Sequence, residues 1–345
     1  MTEDRLPKPA TPLAIDVVGA GILGLWQALT LARCGHRVRL IEASMEPFAA
    51  AQSRFAGAML APWCEAEAAE PIVRDAGIAV IDTWKAAFPG IVQSGTLVLA
   101  QARDISELKR FARLAPGHTE IDAARLAALE PDLAGRFHSG LHYPDEAHMR
   151  TPAALDALLA AIRAAGVDVQ LGTTWTGPGA ADYTIDCRGL AARGELPTLR
   201  GVRGERLLVR ARDIALNRPV RLLHPRFPLY IVPWGEGLHL IGATVLESED
   251  PSPMTLRSAL ELLGMAYALA PAFGEAEIIE LSAGVRPAFP DNVPRVVARG
   301  RVIHVNGAHR HGFLLAPALA RIVADLVTHG RCEWEHAQGL MAPPM

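Results

Sequence analysis

The chain has 345 residues, with 34 Lys and Arg against 37 Asp and Glu, and a formal net charge of -3 at pH 7. This length corresponds to about two domains with a large core. The balanced charge argues against nucleic acid or an anionic membrane surface as a partner, and no membrane insertion is expected. Cys34, Cys64, Cys187 and Cys332 show neither paired nor metal-binding spacing, which predicts reduced thiols in a cytoplasmic protein without a metal.

The first predicted element is a βαβ unit near the start of the chain. A strand over residues 15–18 runs into Gly19-Ala20-Gly21-Ile22-Leu23-Gly24, an apolar helical stretch follows, and a second strand covers residues 37–42. Glycines at this spacing allow a tight turn, a close approach of backbone to a pyrophosphate, and close packing of helix on strand. The unit therefore predicts a dinucleotide-binding site at the helix N-terminus.

Glu42 stands at the tip of the second predicted strand. A carboxylate at this place accepts hydrogen bonds from the ribose hydroxyls of an adenosine and repels a 2′-phosphate. NADP is therefore disfavoured, and the motif by itself leaves NAD and FAD open.

The middle of the chain mixes helices and strands. Small residues dominate a predicted loop over residues 49–60, and Thr151 is predicted to cap a helix that Pro152 opens and Gly166 ends. Apolar spacing predicts further helices over residues 72–88, 105–114 and 123–129. Strands are predicted over residues 95–100, 137–144, 167–171 and 183–187.

From residue 201 the pattern changes to strands and turns, which indicates an antiparallel sheet. The strands predicted here cover residues 205–210, 229–233, 238–245 and 277–285. A helix is predicted over residues 255–269, and a last helix over residues 316–328.

A second glycine-rich loop precedes that last helix. A short strand leads into Gly307-Ala308-His309-Arg310-His311-Gly312-Phe313-Leu314, with Pro317 expected in the first helical turn. A second helix N-terminus near the cofactor suits FAD, whose flavin needs neutralisation at its N1/C2 edge, whereas NAD has no such need. The two glycine loops together favour FAD.

Seven segments together resemble the D-amino-acid oxidase superfamily of flavoproteins, and within it the glycine oxidases of the thiamine pathway. They follow the family's order across nearly the whole chain. They are Gly19 to Gly24 with Glu42, Gly57-Ala58-Met59-Leu60, Val202-Arg203-Gly204-Glu205, Tyr230-Ile231-Val232-Pro233, Ile241-Gly242-Ala243-Thr244, Ala283-Gly284-Val285-Arg286-Pro287 with Pro290-Asp291, and Gly307 to Pro317.

The resemblance implies a site residue by residue. Arg286 would hold the substrate carboxylate, Arg310 would be a second substrate-binding arginine, and Tyr230 and Met59 would line the pocket. A guanidinium suits this task because it binds a carboxylate through two parallel charge-assisted hydrogen bonds. Non-covalent FAD would be bound by Gly19, Gly21, Ile22, Leu23, Gly24, Glu42, Ala43, Gln52, Ser53, Gly57, Ala58, Met59, Trp175, Gly189, Gly307, Ala308, His309, Arg310, His311, Gly312, Phe313 and Leu314.

The implied fold class is α/β, α+β overall, with a Rossmann-like FAD-binding domain and a second domain of mainly antiparallel sheet. We expect the FAD domain over residues 12–85, 149–200 and 284–340, and the substrate domain over residues 86–148 and 201–283. The resemblance also implies a homo-oligomer.

The implied activity is oxidative deamination of glycine or small D- or N-methyl amino acids by hydride transfer from Cα to flavin N5. The products would be a 2-oxo acid (glyoxylate from glycine), ammonia, and hydrogen peroxide made from oxygen. No catalytic side chain is needed, because the flavin accepts the hydride and Arg286 orients the substrate. Two alternatives stay open: an amine or imino-acid dehydrogenase of the same fold that uses another electron acceptor, and a non-catalytic flavin-binding redox module.

Overall fold

The computed structural model describes Leu6 and residues 9–342. The strands in this part of the chain are β1 (Ala14–Val18), β2 (Arg37–Ile41), β3 (Met59–Leu60), β4 (Thr96–Ala100), β5 (Thr119–Asp122), β6 (Ser139–Tyr143), β7 (Ala147–His148), β8 (Asp168–Gln170), β9 (Tyr183–Asp186), β10 (Arg200–Arg210), β11 (Val220–Leu223), β12 (Leu229–Gly235), β13 (Leu238–Gly242), β14 (Glu277–Ala288), β15 (Arg295–Arg299) and β16 (Val302–Asn306).

The α-helices of the same residues are α1 (Ile22–Arg33), α2 (Pro62–Glu65), α3 (Pro71–Ile78), α4 (Ile81–Ala87), α5 (Ile105–Leu114), α6 (Ala123–Leu129), α7 (Thr151–Ala164), α8 (Leu256–Leu269) and α9 (Gly312–His329). Short 3-10 helices cover Gln52–Phe55, Ala102–Asp104, Pro131–Leu133, Gly189–Ala192 and Pro271–Glu275.

A six-stranded sheet has the order β15-β16-β9-β1-β2-β8. β1 pairs in parallel with β2 and β9, and only β15 runs antiparallel to its neighbour. The predicted βαβ unit is confirmed, because β1 and β2 are adjacent parallel strands and α1 connects them. α1 packs against α7 and α9, and its residues from Ile22 to Leu31 are buried.

α9 is long and apolar enough to span a membrane, but 67% of its apolar 18-residue stretch is buried in this core.

An eight-stranded sheet has the order β14-β10-β13-β12-β11-β4-β6-β5. Its neighbours pair antiparallel except for β4 and β11, which pair in parallel. The predicted antiparallel character of this region is therefore confirmed. The boundaries of the two domains stay a prediction.

The helix predicted over residues 72–88 is wrong as a single element. The chain leaves helical geometry at Val80, with φ of -117° and ψ of 1°, so that α3 and α4 are separate. Val80 and Trp84 are 4% and 0% exposed. The buried positions Ala76, Val80 and Trp84 keep helical spacing across the break, so the apolar pattern does not reveal it.

Two predictions about helix starts are also wrong. Thr151 is the first residue of α7 instead of its cap, and its hydroxyl donates to the carbonyl of Ala56 (2.6 Å), which ties the preceding loop to the helix. The last helix begins at Gly312, so Pro317 lies in its second turn. Pro317 lacks the N–H that would bond to the carbonyl of Phe313, and the indole Nε1 of Trp84 donates to that carbonyl instead (2.7 Å).

Candidate active site

A cavity of about 670 Å³ lies between the two sheets. On one side its wall contains Val18 and Ile41, at the carboxyl ends of β1 and β2. On the other side it contains Arg206, Tyr230 and Arg286 from β10, β12 and β14. Parallel sheets bind ligands outside the carboxyl ends of their strands, so the cavity has the position of a cofactor site.

The structure brings nearly all of the predicted site residues together on this wall. Gly24 and Gly307 do not line the cavity. A Cβ on Gly24 would lie 1.8 Å from the carbonyl oxygen of Gly19, so Gly24 lets α1 pack closely on the first glycine turn. Gly307 has φ of +74°, and it packs against Phe289. The lining residues are Gly19, Gly21, Ile22, Leu23, Glu42, Ala43, Gln52, Ser53, Gly57, Ala58, Met59, Trp175, Gly189, Tyr230, Arg286, Ala308, His309, Arg310, His311, Gly312, Phe313 and Leu314.

At one end of the cavity, the N-terminus of α1 is open to a ligand. The N-cap residue Gly21 has no side chain to cap the helix, and the first turn contains no acidic residue. The N–H of Ile22 donates to Ser53 Oγ (3.2 Å), a neutral acceptor on the cavity wall. A Cβ on Gly21 would meet no protein atom nearer than Ser53 Oγ at 3.6 Å, so protein packing alone does not require glycine there. The space beside Gly21 suits a phosphate held by helix N–H groups.

Glu42 is fixed at the end of β2. Its Oε2 accepts a hydrogen bond from the backbone N–H of Ala20 (2.7 Å), and its Oε1 accepts one from Ser44 (2.9 Å). A carboxylate has about four acceptor sites, so capacity remains for ribose hydroxyls. Trp175 lines the same part of the wall, with the guanidinium of Arg188 4.4 Å from its ring centre. These residues fit the adenosine and pyrophosphate parts of FAD.

At the other end, four residues form one row across the eight-stranded sheet. Arg221 pairs with Tyr230, Tyr230 with Gly242, and Gly242 with Arg206. Cross-strand partners face the same side of a sheet, and all of these except Gly242 line the cavity. A Cβ on Gly242 would lie 2.8 Å from the hydroxyl of Tyr230, so the glycine makes room for the phenol.

Arg286 reaches this face from β14. A Cβ on Gly204 of β10 would lie 2.0 Å from its Cζ, so the guanidinium occupies space that only glycine leaves free. Its Nη1 donates to the carbonyl of Thr244 (3.3 Å), and no carboxylate within the described residues pairs with it. Burial lowers the pKa of Arg286, Tyr230 opposes this and Arg310 adds to it, but an arginine stays protonated. An uncompensated guanidinium in a cavity is suited to a ligand carboxylate.

The sequence analysis missed Glu65, the last residue of α2, which also lines the cavity. Its Oε1 lies 2.6 Å from Arg221 Nη2 and 3.7 Å from Arg310 Nη2, and its Oε2 lies 3.5 Å from His311 Nδ1. Burial raises the pKa of Glu65, but the guanidiniums of Arg310 and Arg221 outweigh burial and hold that pKa well below its usual range. A charged residue inside the apolar run Val220–Leu223 was the one sequence signal for Arg221.

The two histidines of the second glycine loop are uncharged at neutral pH. Burial lowers the pKa of His309 to about 3, with Arg286 as the next cause. Burial lowers the pKa of His311 to about 4 against the attraction of Glu65. The described ranges contain no group of three or more His, Cys, Asp or Glu side chains placed to hold a metal ion.

The family model described as FAD dependent oxidoreductase, DAO, matches residues 15–326. The chain belongs to this family. FAD is therefore its cofactor, and the predicted fold class is confirmed by the family and by the structural likeness that follows. That the individual residues around the cavity bind FAD stays a prediction.

The chain is also similar to known proteins over most of its length. It is 52% identical over 313 residues to a Rhizobium etli protein whose name gives it as the thiamine biosynthesis oxidoreductase ThiO, covering 90% of this chain and 95% of that protein. It is 26% identical over 356 residues to the glycine oxidase of Geobacillus kaustophilus, covering 91% and 92%. The crystal structure of glycine oxidase from Geobacillus kaustophilus has the same fold, with a TM-score of 0.79, 23% identity, and coverage of 96% of this chain and 100% of that one.

Proposed function

We propose that this FAD-dependent oxidoreductase oxidises glycine, or a small D- or N-methyl amino acid, at its Cα–N bond. The observation that carries the proposal is Arg286, a guanidinium that has no carboxylate partner among the described residues and faces the cavity shared with the second glycine loop. The names of the Rhizobium and Geobacillus relatives support the same class of substrate.

Each residue has a defined task in this proposal. Bound FAD supplies the acceptor for the hydride that leaves Cα. Arg286 binds the substrate carboxylate and so fixes the direction of the Cα–H bond, while Tyr230 and Met59 limit the space around it. His309 and His311 are uncharged, so the arginines are the cations of this loop and sheet face that attract the substrate carboxylate.

The overall reaction balances with oxygen as the final acceptor. The amino acid loses two electrons and two protons to become an imino acid. Water then converts the imino acid to a 2-oxo acid and ammonia, or to a 2-oxo acid and methylamine when the substrate is N-methylated. Oxygen takes up the two electrons and two protons as hydrogen peroxide. We place the reaction in the cytoplasm, and the homo-oligomer stays a prediction.

The test is anaerobic mixing of the purified holoenzyme with glycine, sarcosine, D-alanine and D-proline, followed through the visible flavin absorbance. Loss of the absorbance, followed by peroxide once air is admitted, is the expected result. Loss of the absorbance without peroxide would select the dehydrogenase alternative. An unchanged spectrum with the whole panel would contradict amino-acid oxidation.

We further propose that the product serves thiamine synthesis, on the strength of the 52% identical Rhizobium relative. A strain lacking the gene should grow on minimal medium only when thiamine is added. Growth without thiamine, in a strain with no second gene of this family, would contradict this role.

A further inference from the structure

A second group of charges lies on the far side of Tyr230 from Arg286. We call Glu65, Arg221 and Arg310 the triad. In the sheet order β14-β10-β13-β12-β11, Tyr230 stands on β12, whereas Arg221 stands one strand beyond it and Arg286 comes from the opposite edge. The side chain of Arg286 extends over Gly204 of β10, and Arg310 lies close enough to lower the pKa of Arg286. Both arginines line the same cavity, so Arg310 brings the triad close to a small molecule that Arg286 holds over the sheet.

The triad carries more positive than negative charge. Two guanidiniums face one carboxylate, and the adjacent His311 is neutral. Two other acidic groups lie close by. Glu67 is paired with Arg110 (2.5 Å), and burial raises the pKa of Glu146 to about 7, so that this carboxyl is mostly protonated under mildly acidic conditions. The triad therefore has a surplus of one positive charge that neither neighbouring carboxyl group cancels under these conditions.

Hydrogen-bond donors on the triad are free to meet a ligand. Arg310 lines the cavity, its side chain is 31% exposed, and it makes no hydrogen bond within the described residues. Arg310 Nη2 lies 3.7 Å from Glu65 Oε1, which is close enough for an ion pair but too far for a hydrogen bond. A guanidinium has five N–H donors, so Arg310 can receive a further carboxylate in bidentate geometry.

We propose that the triad binds a second carboxylate of the substrate, so that an amino acid with two carboxylates binds more tightly than its monocarboxylate counterpart. The inference rests on the proposed function, in which Arg286 holds the carboxylate next to the reacting Cα. The second carboxylate can be carried by a substituent on the amine or by the side chain.

Binding of non-reacting acids tests the subsite without turnover. The oxidised holoenzyme is titrated with malonate and succinate, and separately with acetate and glycolate, at mildly acidic pH, and the flavin spectrum reports each Kd. Each dicarboxylate should bind about tenfold more tightly, as one added charge-assisted interaction provides. Equal Kd values would overturn the subsite. Because no acid in this set is oxidised, the result does not depend on the proposed reaction.

A series of charge variants tests the cause. Glu65→Gln raises the net charge of the triad, Arg221→Gln lowers it, and the double variant restores the wild-type value without a lone buried charge. The ratio of acetate Kd to malonate Kd should rise in the first, fall in the second, and stay within about threefold of wild type in the double variant. A triad that only positions Arg310 would change both acids together, and one common ratio in all four proteins would overturn the proposal.

Turnover then identifies the source of the carboxylate. A lower KM for iminodiacetate than for sarcosine would place it on the amine substituent. A lower KM for D-aspartate than for D-alanine would place it on the side chain. If glycine reduces the flavin and neither dicarboxylate has the lower KM, the substrate part of the inference is wrong while the proposed function stands.

Discussion

Arg286 owes its proposed role to its surroundings more than to its own identity, because many other arginines of the chain are ion-paired at the surface. Arg212, for example, is 74% exposed and pairs with Glu277. Arg286 instead lies in a cavity, and among the residues that the structure describes it has only the Thr244 carbonyl as an acceptor. A charge without a counterion is the property that separates the two.

Arg286→Ala should raise the KM for the amino-acid substrate about a hundredfold, because a bidentate carboxylate interaction is lost. FAD content, read from the visible spectrum, should be unchanged. Arg212→Ala is the matched control and should leave KM at the wild-type value. An unchanged KM in Arg286→Ala would remove this residue from the substrate site.

Glu146 should make stability depend on pH. Its Oε1 accepts a hydrogen bond from the N–H of Cys64 (2.7 Å), its side chain is fully buried, and burial raises its pKa from 4.5 to about 7. Between these values the folded state keeps a proton that the unfolded chain has released, so the free energy of unfolding falls as pH rises and levels off above about 7.

In Glu146→Gln the decline of Tm between mildly acidic and mildly alkaline pH should be smaller than in wild type. Glu120→Gln, at an exposed position, is the control and should keep the wild-type profile. Identical profiles for wild type and Glu146→Gln would show that Glu146 does not ionise in this range.

Among the elements, β10 and β14 share the space that positions the substrate arginine. Gly204→Ala would place a Cβ 2.0 Å from Arg286 Cζ, so the flexible end of Arg286 must move away. We expect KM to rise by about tenfold or more, with Tm and bound FAD close to wild type, because only a side-chain terminus is displaced.

Gly194→Ala is the control for this variant, since a Cβ there meets nothing within 4 Å. A wild-type KM in Gly204→Ala would mean that Arg286 binds no substrate in the orientation seen here.

α4 and α9 are joined at the start of α9, beside the second glycine loop. Trp84 stacks on Phe313 with ring centres 5.8 Å apart, and its indole donates to the Phe313 carbonyl that Pro317 leaves unused. Trp84→Phe should lower the free energy of unfolding by about 1–3 kcal/mol, because that carbonyl loses its partner. Pro317→Ala restores an N–H for the same carbonyl.

The double variant Trp84→Phe/Pro317→Ala should therefore recover part of the stability lost in Trp84→Phe, measured by denaturant unfolding. Simple additivity of the two single changes would contradict this role for the indole.

Elements with strong periodicity or with glycine motifs were predictable from sequence, as β1, α1 and β2 show. β5, β11 and β15 were missed because they are short and contain charged residues, such as Arg221 in β11. The break between α3 and α4 was missed because the apolar spacing of a helix continues across it, with Ala76, Val80 and Trp84 all buried.

At the scale of the whole molecule, the cofactor cavity is built from both sheets, so FAD is expected to bind the folded state alone. Added FAD at one hundred times its Kd should stabilise the apoprotein by about 2.7 kcal/mol. FMN lacks the adenosine that Glu42 and the α1 N-terminus would hold, so it should raise Tm less than FAD does. Equal shifts with FMN and FAD would contradict the adenosine site assigned to these residues.

The sequence by itself determined the dinucleotide fold and the preference for FAD, because Gly19 to Gly24 and the loop from Gly307 to Gly312 each place glycines next to a helix through consecutive residues. Only the tertiary structure decided which charges meet. Glu65 and Arg221 are 156 positions apart. Glycine is needed at position 204 because the side chain of Arg286, on another strand, occupies the adjacent space. Neither contact has a local signature, because sheet order and register bring these residues together.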